Sequence, residues 1–292
     1  MAKNKITTSK IIINLMFIIY ALFCIVPLIL VLSISVTDEM VIFQNGYSLI
    51  PAKFSLAAYK YVLSGSSTLL NAYIVTIIVT VVGTFCHLFI SSMLAYSLSR
   101  KEVKYANVIS FLVFFALLFN GGIVPQYILL TKYLHMKNTI LVLIFPYLVS
   151  SVNIIIMKNF FKSTVPDSIV EAARIDGSGE FSTYLKIVLP ISKPVLATIG
   201  LFVAVFYWND WFTCSLYIED NSLYVLQFLL QSIMNNIQYL QSNDMLQKSA
   251  ASLPSESARM VTRILAIGPI ILTYPFLQKY FVKGLTLGAV KE

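Results

Sequence analysis

Residues Ile11–Ser33 read IIINLMFIIYALFCIVPLILVLS, and no charged side chain stands between Lys10 and Asp38. A helix needs about 17–25 apolar residues to cross the hydrocarbon of a bilayer, so this run is long enough to do so. Lys3, Lys5 and Lys10 give it the basic start of a signal peptide. Its apolar run nevertheless exceeds the roughly 7–15 residues of a signal core, and Ser33-Ile34-Ser35 is a weak cleavage triplet. It therefore reads as an uncleaved first membrane helix.

Five further apolar runs follow, over about 69–98, 105–127, 139–157, 194–214 and 264–277. The third passes the Gly121-Gly122 pair and Pro125. The last contains Gly268, Pro269 and Pro275, which neighbouring helices can accommodate in a membrane. The pattern predicts an all-α polytopic membrane protein, one transmembrane domain over residues 1–292 with six spans. Composition agrees: 58% of residues are hydrophobic and 12% charged, against about 25% charged in soluble domains. Mean hydropathy is +0.81. The net charge of +8 is not a nucleic-acid signature here, because basic residues in such a chain sort to one side of the membrane.

That sorting gives an orientation. With both termini in the cytoplasm, 14 of the 21 Lys and Arg fall inside, among them Lys3, Lys5, Lys10, Arg100, Lys101, Lys104, Lys158, Lys162, Arg174, Lys279 and Lys283. Seven fall outside: Lys53, Lys60, Lys132, Lys137, Lys248, Arg259 and Arg263. Trp208 and Trp211, about 21–26 Å along the fifth run from Pro194, then lie at the depth of the outer headgroups.

The segment of about 162–193 is accordingly cytoplasmic. Pro166 suits the first turn of a helix and Asp167 the positive end of its dipole. Ser168 to Asp176 contains good helix formers, and Gly177 supplies a stop in the left-handed region. Ser178 can cap a second helix carrying Phe181, Leu185 and Val188 at helical spacing. Ala172 and Ala173 make a flat face, with Glu171, Arg174 and Asp176 as charges around it. Spacing alone is equally compatible with a solvated, ordinarily capped loop.

The run EAARIDGSGEFSTYLKIVLP, residues 171–190, closely resembles the EAA loop of ABC-type importer permeases. Glu171, Ala172, Ala173, Asp176, Gly177, Ile187, Leu189 and Pro190 occupy the family's positions, and Ser178 stands where Ala is usual. Ser99-Arg100-Lys101, Trp208-Asn209-Asp210 and the ending from Gln278 through Lys291 resemble the MalG-type carbohydrate permeases. Asn120-Gly121-Gly122-Ile123-Val124-Pro125 resembles their LplC/YtcP-like branch, associated with complex sugars. The resemblance implies the type I ABC importer permease fold, with Glu171 to Gly177 as a coupling helix seated in a groove of a cytoplasmic ATPase. It implies that Glu171 faces basic groups of that ATPase, that Ala172 and Ala173 permit close approach, and that Gly177 sets the corner. Leu189 and Pro190 complete the motif, and the tail with Gly284, Gly288 and Lys291 would lie near the same interface. The partners implied are a second, related permease subunit, two ATP-binding subunits, and an extracellular or lipid-anchored solute-binding protein.

The chain has no Gly-Lys dipeptide, so it holds no phosphate-binding loop of the common kind. ATP and magnesium are expected on the partner ATPase, with no cofactor on this chain and no enzymatic activity. Cys24, Cys86 and Cys214 give no disulfide framework, and His87 and His135 are too far apart in sequence to suggest a metal centre. Asp210 is the only acidic residue within a proposed span, a default functional candidate beside Asn209. Asn71 and Asn153 are the other candidates for the translocation path, although buried amides also join helices together. The stretch from Ser215 to Ser257 is rich in Gln and Asn, with Leu226, Leu229, Leu230 and Ile233 at helical spacing. The family reading makes it a docking surface for the binding protein. An ABC permease for a non-sugar solute, an ion-driven secondary transporter and a membrane-bound scaffold are the rival readings; the ion-driven one would want charges at mid-membrane and internal repeats.

Overall fold

The computed structural model describes residues 8–64, 66–242 and 255–271. These residues are helical and contain no strand, only an isolated antiparallel bridge between Thr37 and Phe54. The chain divides into two compact units, residues 1–66 with 230–269, and residues 67–229 with 270–292.

The first unit begins with α1 (Thr8–Ser35), whose apolar side chains are exposed nearly all round, as contact with lipid or another apolar surface requires. Helices α2 (Glu39–Asn45) and α3 (Ala57–Leu63) follow. The Asp38 carboxylate receives the Met40 N–H at the start of α2 and pairs with Lys53 at 2.9 Å, which holds its pKa below the usual value. A helix over 255–271 has its N-terminal groups satisfied by Glu39. That carboxylate accepts from the Glu256 and Ser257 N–H groups at 2.7 and 3.0 Å, and from the Ser255 and Ser257 hydroxyls. An anion from elsewhere in the chain thus performs the capping that a local side chain usually supplies. The predicted sixth span begins within this helix, and its residues beyond 271 lie outside the described residues.

The second unit holds the main core. Helix α4 (Ser66–Ser99) crosses it without a break and buries a stripe of small or polar residues: Ala72, Thr76, Gly83, Ser91, Ser92 and Ala95. Small side chains allow close helix approach where apolar attraction between helices is weak. A Cβ on Gly83 would meet the Tyr207 ring at 2.6–2.9 Å, and one on Gly200 would meet Leu88 at 3.0 Å.

The third, fourth and fifth runs are bent rather than straight. Helix α5 (Ala106–Leu118) meets α6 (Ile123–Ile128, continued by a π turn over Leu129–Tyr133) at 114°. Asn120 accepts the Gly122 N–H at 2.9 Å, and Gly122 has φ +86°. An Asn turn followed by left-handed glycine therefore breaks the helix that the apolar pattern alone carried to Tyr127. In the fourth, α7 (Ile140–Ile144) runs through a 3-10 turn at Phe145–Tyr147 and meets α8 (Ser151–Thr164) at 51°. Helix α9 (Asp167–Ile175) is followed by a run from Glu180 to Ile191 (α10, a π turn and α11), which meets α12 (Lys193–Asn209) at 82°. Helix α13 (Phe212–Tyr217) follows a break at Asp210, and α14 (Leu226–Ser242) lies where the Leu spacing predicted a helix. Trp208 is buried, unlike an indole of an interfacial belt, and Trp211 is half exposed.

Gly83→Val is expected to destabilise the protein by about 1–3 kcal/mol, because the Tyr207 ring has nowhere to give without losing its own hydrogen bond. Gly179→Ala, where a Cβ meets nothing within 4 Å, is the control and should change stability by under about 0.5 kcal/mol. Thermal unfolding in detergent measures both.

Candidate functional site

Two features of the second unit have functional geometry, the segment 165–191 and a cavity in the bundle. At the first, Val165 is buried and Pro166 extended (ψ 139°), so α8 stops and α9 starts in a new direction. Val170 and Ala173 turn inward, while Glu171, Ala172, Ile175 and Asp176 face out. Ile175 is 87% exposed, a large apolar side chain held in solvent by a short, well-formed helix. Only Ala172 of the two alanines lies on the outer face; Ala173 belongs to the core side. At the end of α9, Gly177 has φ +80°, its N–H donates to Arg174 O, and the Ser178 N–H donates to Ala173 O at 2.9 Å. This paired pattern satisfies the last carbonyls and needs a residue tolerant of positive φ. Ser178 is thereby used in closing α9, and the next helix starts from Gly179 without a side-chain cap. The inward residues of that helix are Tyr184 and Val188, not Phe181 and Leu185. Leu189 is half buried and Pro190 exposed.

Ion pairs hold α9 at both ends. The Arg100 side chain, 4% exposed at the end of α4, donates to Asp167 at 3.0 Å and to Val165 O at 3.4 Å, and it lies over the Tyr96 ring. Arg174, predicted as a charge for a partner, is engaged within the chain, with Glu180 at 2.7 Å and Glu102 at 3.4 Å. Glu180 first, and Glu102 behind it, raise the Arg174 pKa further, as expected of a guanidinium held between two carboxylates.

The cavity, about 460 Å³, sits where the fourth run breaks; His87, Tyr147, Ser150, Asn153, Phe202 and Phe206 are among its lining. That volume falls in the range of about 300–1,000 Å³ usual for small-ligand sites. Breaking α7 from α8 frees backbone carbonyls, which must find donors in an apolar bundle. Tyr207 donates its hydroxyl to Ile144 O at 3.0 Å, and His87 Nδ1 lies 2.8 Å from Tyr147 O. A carbonyl only accepts, so Nδ1 carries the proton. Nε2 then accepts from the Asn153 amide at 3.0 Å, which makes the ring neutral. Tyr147 is fixed in turn by its hydroxyl contact with Thr213 at 2.8 Å.

Of the predicted path residues, only Asn153 lines this cavity. Asn71 donates to Ser222 O. Asn209 bonds Val205 O and Gln227, and Asp210 accepts the Thr213 N–H at the start of α13. These three serve the end of the bundle remote from α9. Gly284, Gly288 and Lys291 lie outside the described residues. Sequence reasoning missed His87, Tyr147 and Tyr207; the available signal was Pro146 inside the fourth run, which announces freed carbonyls and hence donors nearby.

No family model matches the chain. The polygalacturonan/rhamnogalacturonan transport system permease protein YtcP of Bacillus subtilis strain 168 is 38% identical over 272 residues, 93% of this chain and 94% of that protein. Protein LplC of the same organism is 39% identical over 267 residues, 91% of this chain and 89% of its own. A solved bacterial ABC transporter involved in the import of the acidic polysaccharide alginate contains a chain that superimposes with TM-score 0.80. That chain is 27% identical, with 96% of this chain and 99% of its own length covered.

His87→Leu strips the donor from Tyr147 O and the acceptor from Asn153. It should destabilise the bundle by about 1–3 kcal/mol. An unchanged melting temperature in detergent would show that these bonds do not hold the broken span.

Proposed function

This chain belongs to the permease subunits of ABC-type carbohydrate importers, and on that premise we propose that it couples through α9 and passes solute along the cavity at His87 and Asn153. The observation that carries the coupling role is Ile175, Ala172 and Glu171 on the outer face of a helix clamped at both ends. A rigid, exposed helix carrying apolar Ala172 and Ile175 beside charged Glu171 is what a separate protein needs in order to push on the bundle. Glu171 faces the partner, Gly177 sets the corner, and Leu189 and Pro190 lead back to α12.

The partner is a cytoplasmic ATPase in two copies that binds the ATP and magnesium; this chain hydrolyses nothing and holds no cofactor. A second, related permease completes the pathway, and an extracellular or lipid-anchored binding protein delivers the solute. The chain spans the cell membrane several times with both termini inside, which puts α9 on the cytoplasmic side. The tail with Gly284, Gly288 and Lys291 lies near the ATPase.

The solute is an oligosaccharide or other complex carbohydrate. The relatives' names support that class, and so does the cavity chemistry, where aromatic faces of Phe202, Phe206 and Tyr147 stand beside neutral amide and hydroxyl groups. Those groups suit sugar hydroxyls and ring C–H faces. Discrimination of acidic from neutral sugars is thereby left to the binding protein and the partner permease.

Gly177→Val forces a β-branched residue into positive φ, a cost of about 1–3 kcal/mol at the corner. Membrane insertion should be normal while ATPase co-purification falls several-fold and uptake of labelled oligosaccharides into vesicles is lost. In the parent, uptake should require ATP and survive collapse of ion gradients. Uptake that collapses with the gradient instead would favour a secondary transporter.

A further inference from the structure

Helix α9 is joined covalently to α8 through Val165-Pro166 and to α12 through residues 176–192. Helix α4 has no such junction: its C-terminal end, 67 residues before Asp167, can be moved by α9 only through side-chain contacts. Those contacts are few and specific. Arg100 reaches the first residue of α9 and the carbonyl of Val165, Lys101 lies at 3.8 Å from the same Asp167 carboxylate on an exposed side chain, and Glu102, just beyond α4, reaches Arg174 near the end of α9. The Arg100 guanidinium is buried while Asp167 is 60% exposed, so the cation is the fixed member and the coupling helix the element held to it. The Glu102–Arg174 pair is more exposed and correspondingly weaker.

Resting on the coupling role given to α9 above, we infer that Arg100 is the positioning residue that makes the near end of α4 travel with α9. Its consequence reaches the cavity, because His87 lies 13 residues back on the same unbroken helix, about 20 Å away. Displacement of α9 then arrives at the His87 bonds to Tyr147 and Asn153 along α4, as well as through α8. Lysine cannot replace arginine here: one ammonium cannot serve the Asp167 carboxylate and the Val165 carbonyl in a fork.

The test uses the assembled transporter, with Cys24, Cys86 and Cys214 replaced and spin labels at Met93→Cys on α4 and Lys162→Cys on α8. Their separation is measured by pulsed electron resonance without nucleotide and after trapping with ATP and vanadate. The parent should keep one separation in both states. Arg100→Lys and Asp167→Asn should match the parent without nucleotide, which shows intact folding, and shift or split by about 2–5 Å when trapped. ATPase co-purification should be unchanged in both. Trapped-state distances equal to the parent's in both variants overturn the inference while leaving α9 as the docking helix. Failure of the parent to hold an ATPase at all overturns the coupling role and this inference with it.

Discussion

A backbone carbonyl inside a membrane bundle must be given a donor, and the bend between α7 and α8 creates that demand at Ile144 and Tyr147. Tyr207 and His87 answer it from α12 and α4. Much else depends on this. Tyr207 must lie flat against α4, which requires glycine at position 83. His87 must stay neutral, which places the Asn153 amide as its donor and leaves the amide oxygen for other partners. The cavity exists because a helix is broken there, and its few polar groups, among them His87 and Asn153, are there because side chains satisfy the break within an otherwise apolar lining.

The segment at the other end of the bundle obeys a different constraint. It must be exposed yet rigid. Nine residues of helix are too few to be stable on their own, since nucleation is costly and isolated helices below about 12 residues are marginal. Stability comes instead from Val170 and Ala173 on the buried face, from the glycine corner and from the Arg100 and Arg174 ion pairs. Clamping both ends leaves the outer face free of structural duties, so it can carry Ile175 and Ala172 for a partner.

Membrane character, helical class and the corner at Gly177 were legible because each rests on a local rule: apolar run length, and the positive φ that glycine tolerates. The bends were not legible from hydropathy, which reports how apolar a run is and says nothing about its direction. Asn120-Gly121-Gly122 and Pro146 were the local clues. The division of Ala172 from Ala173, and the burial of Tyr184 beside the expected Val188 while Phe181 and Leu185 face out, follow from tertiary packing and a π turn that shifts the register. Arg174 looked free because its partners Glu102 and Glu180 come from different elements. His87 looked inert for the same reason: its value lies in a carbonyl 60 residues away.

Everything in the coupling role turns on whether α9 lies on the inner side of the membrane against a separate ATPase. The most direct measurement labels Ile175→Cys with a membrane-impermeant maleimide in a background without the native cysteines. Labelling is expected from the cytoplasmic face in inside-out vesicles, with strong protection once the ATPase is bound. Labelling from outside intact cells, or labelling indifferent to the ATPase, would contradict that role.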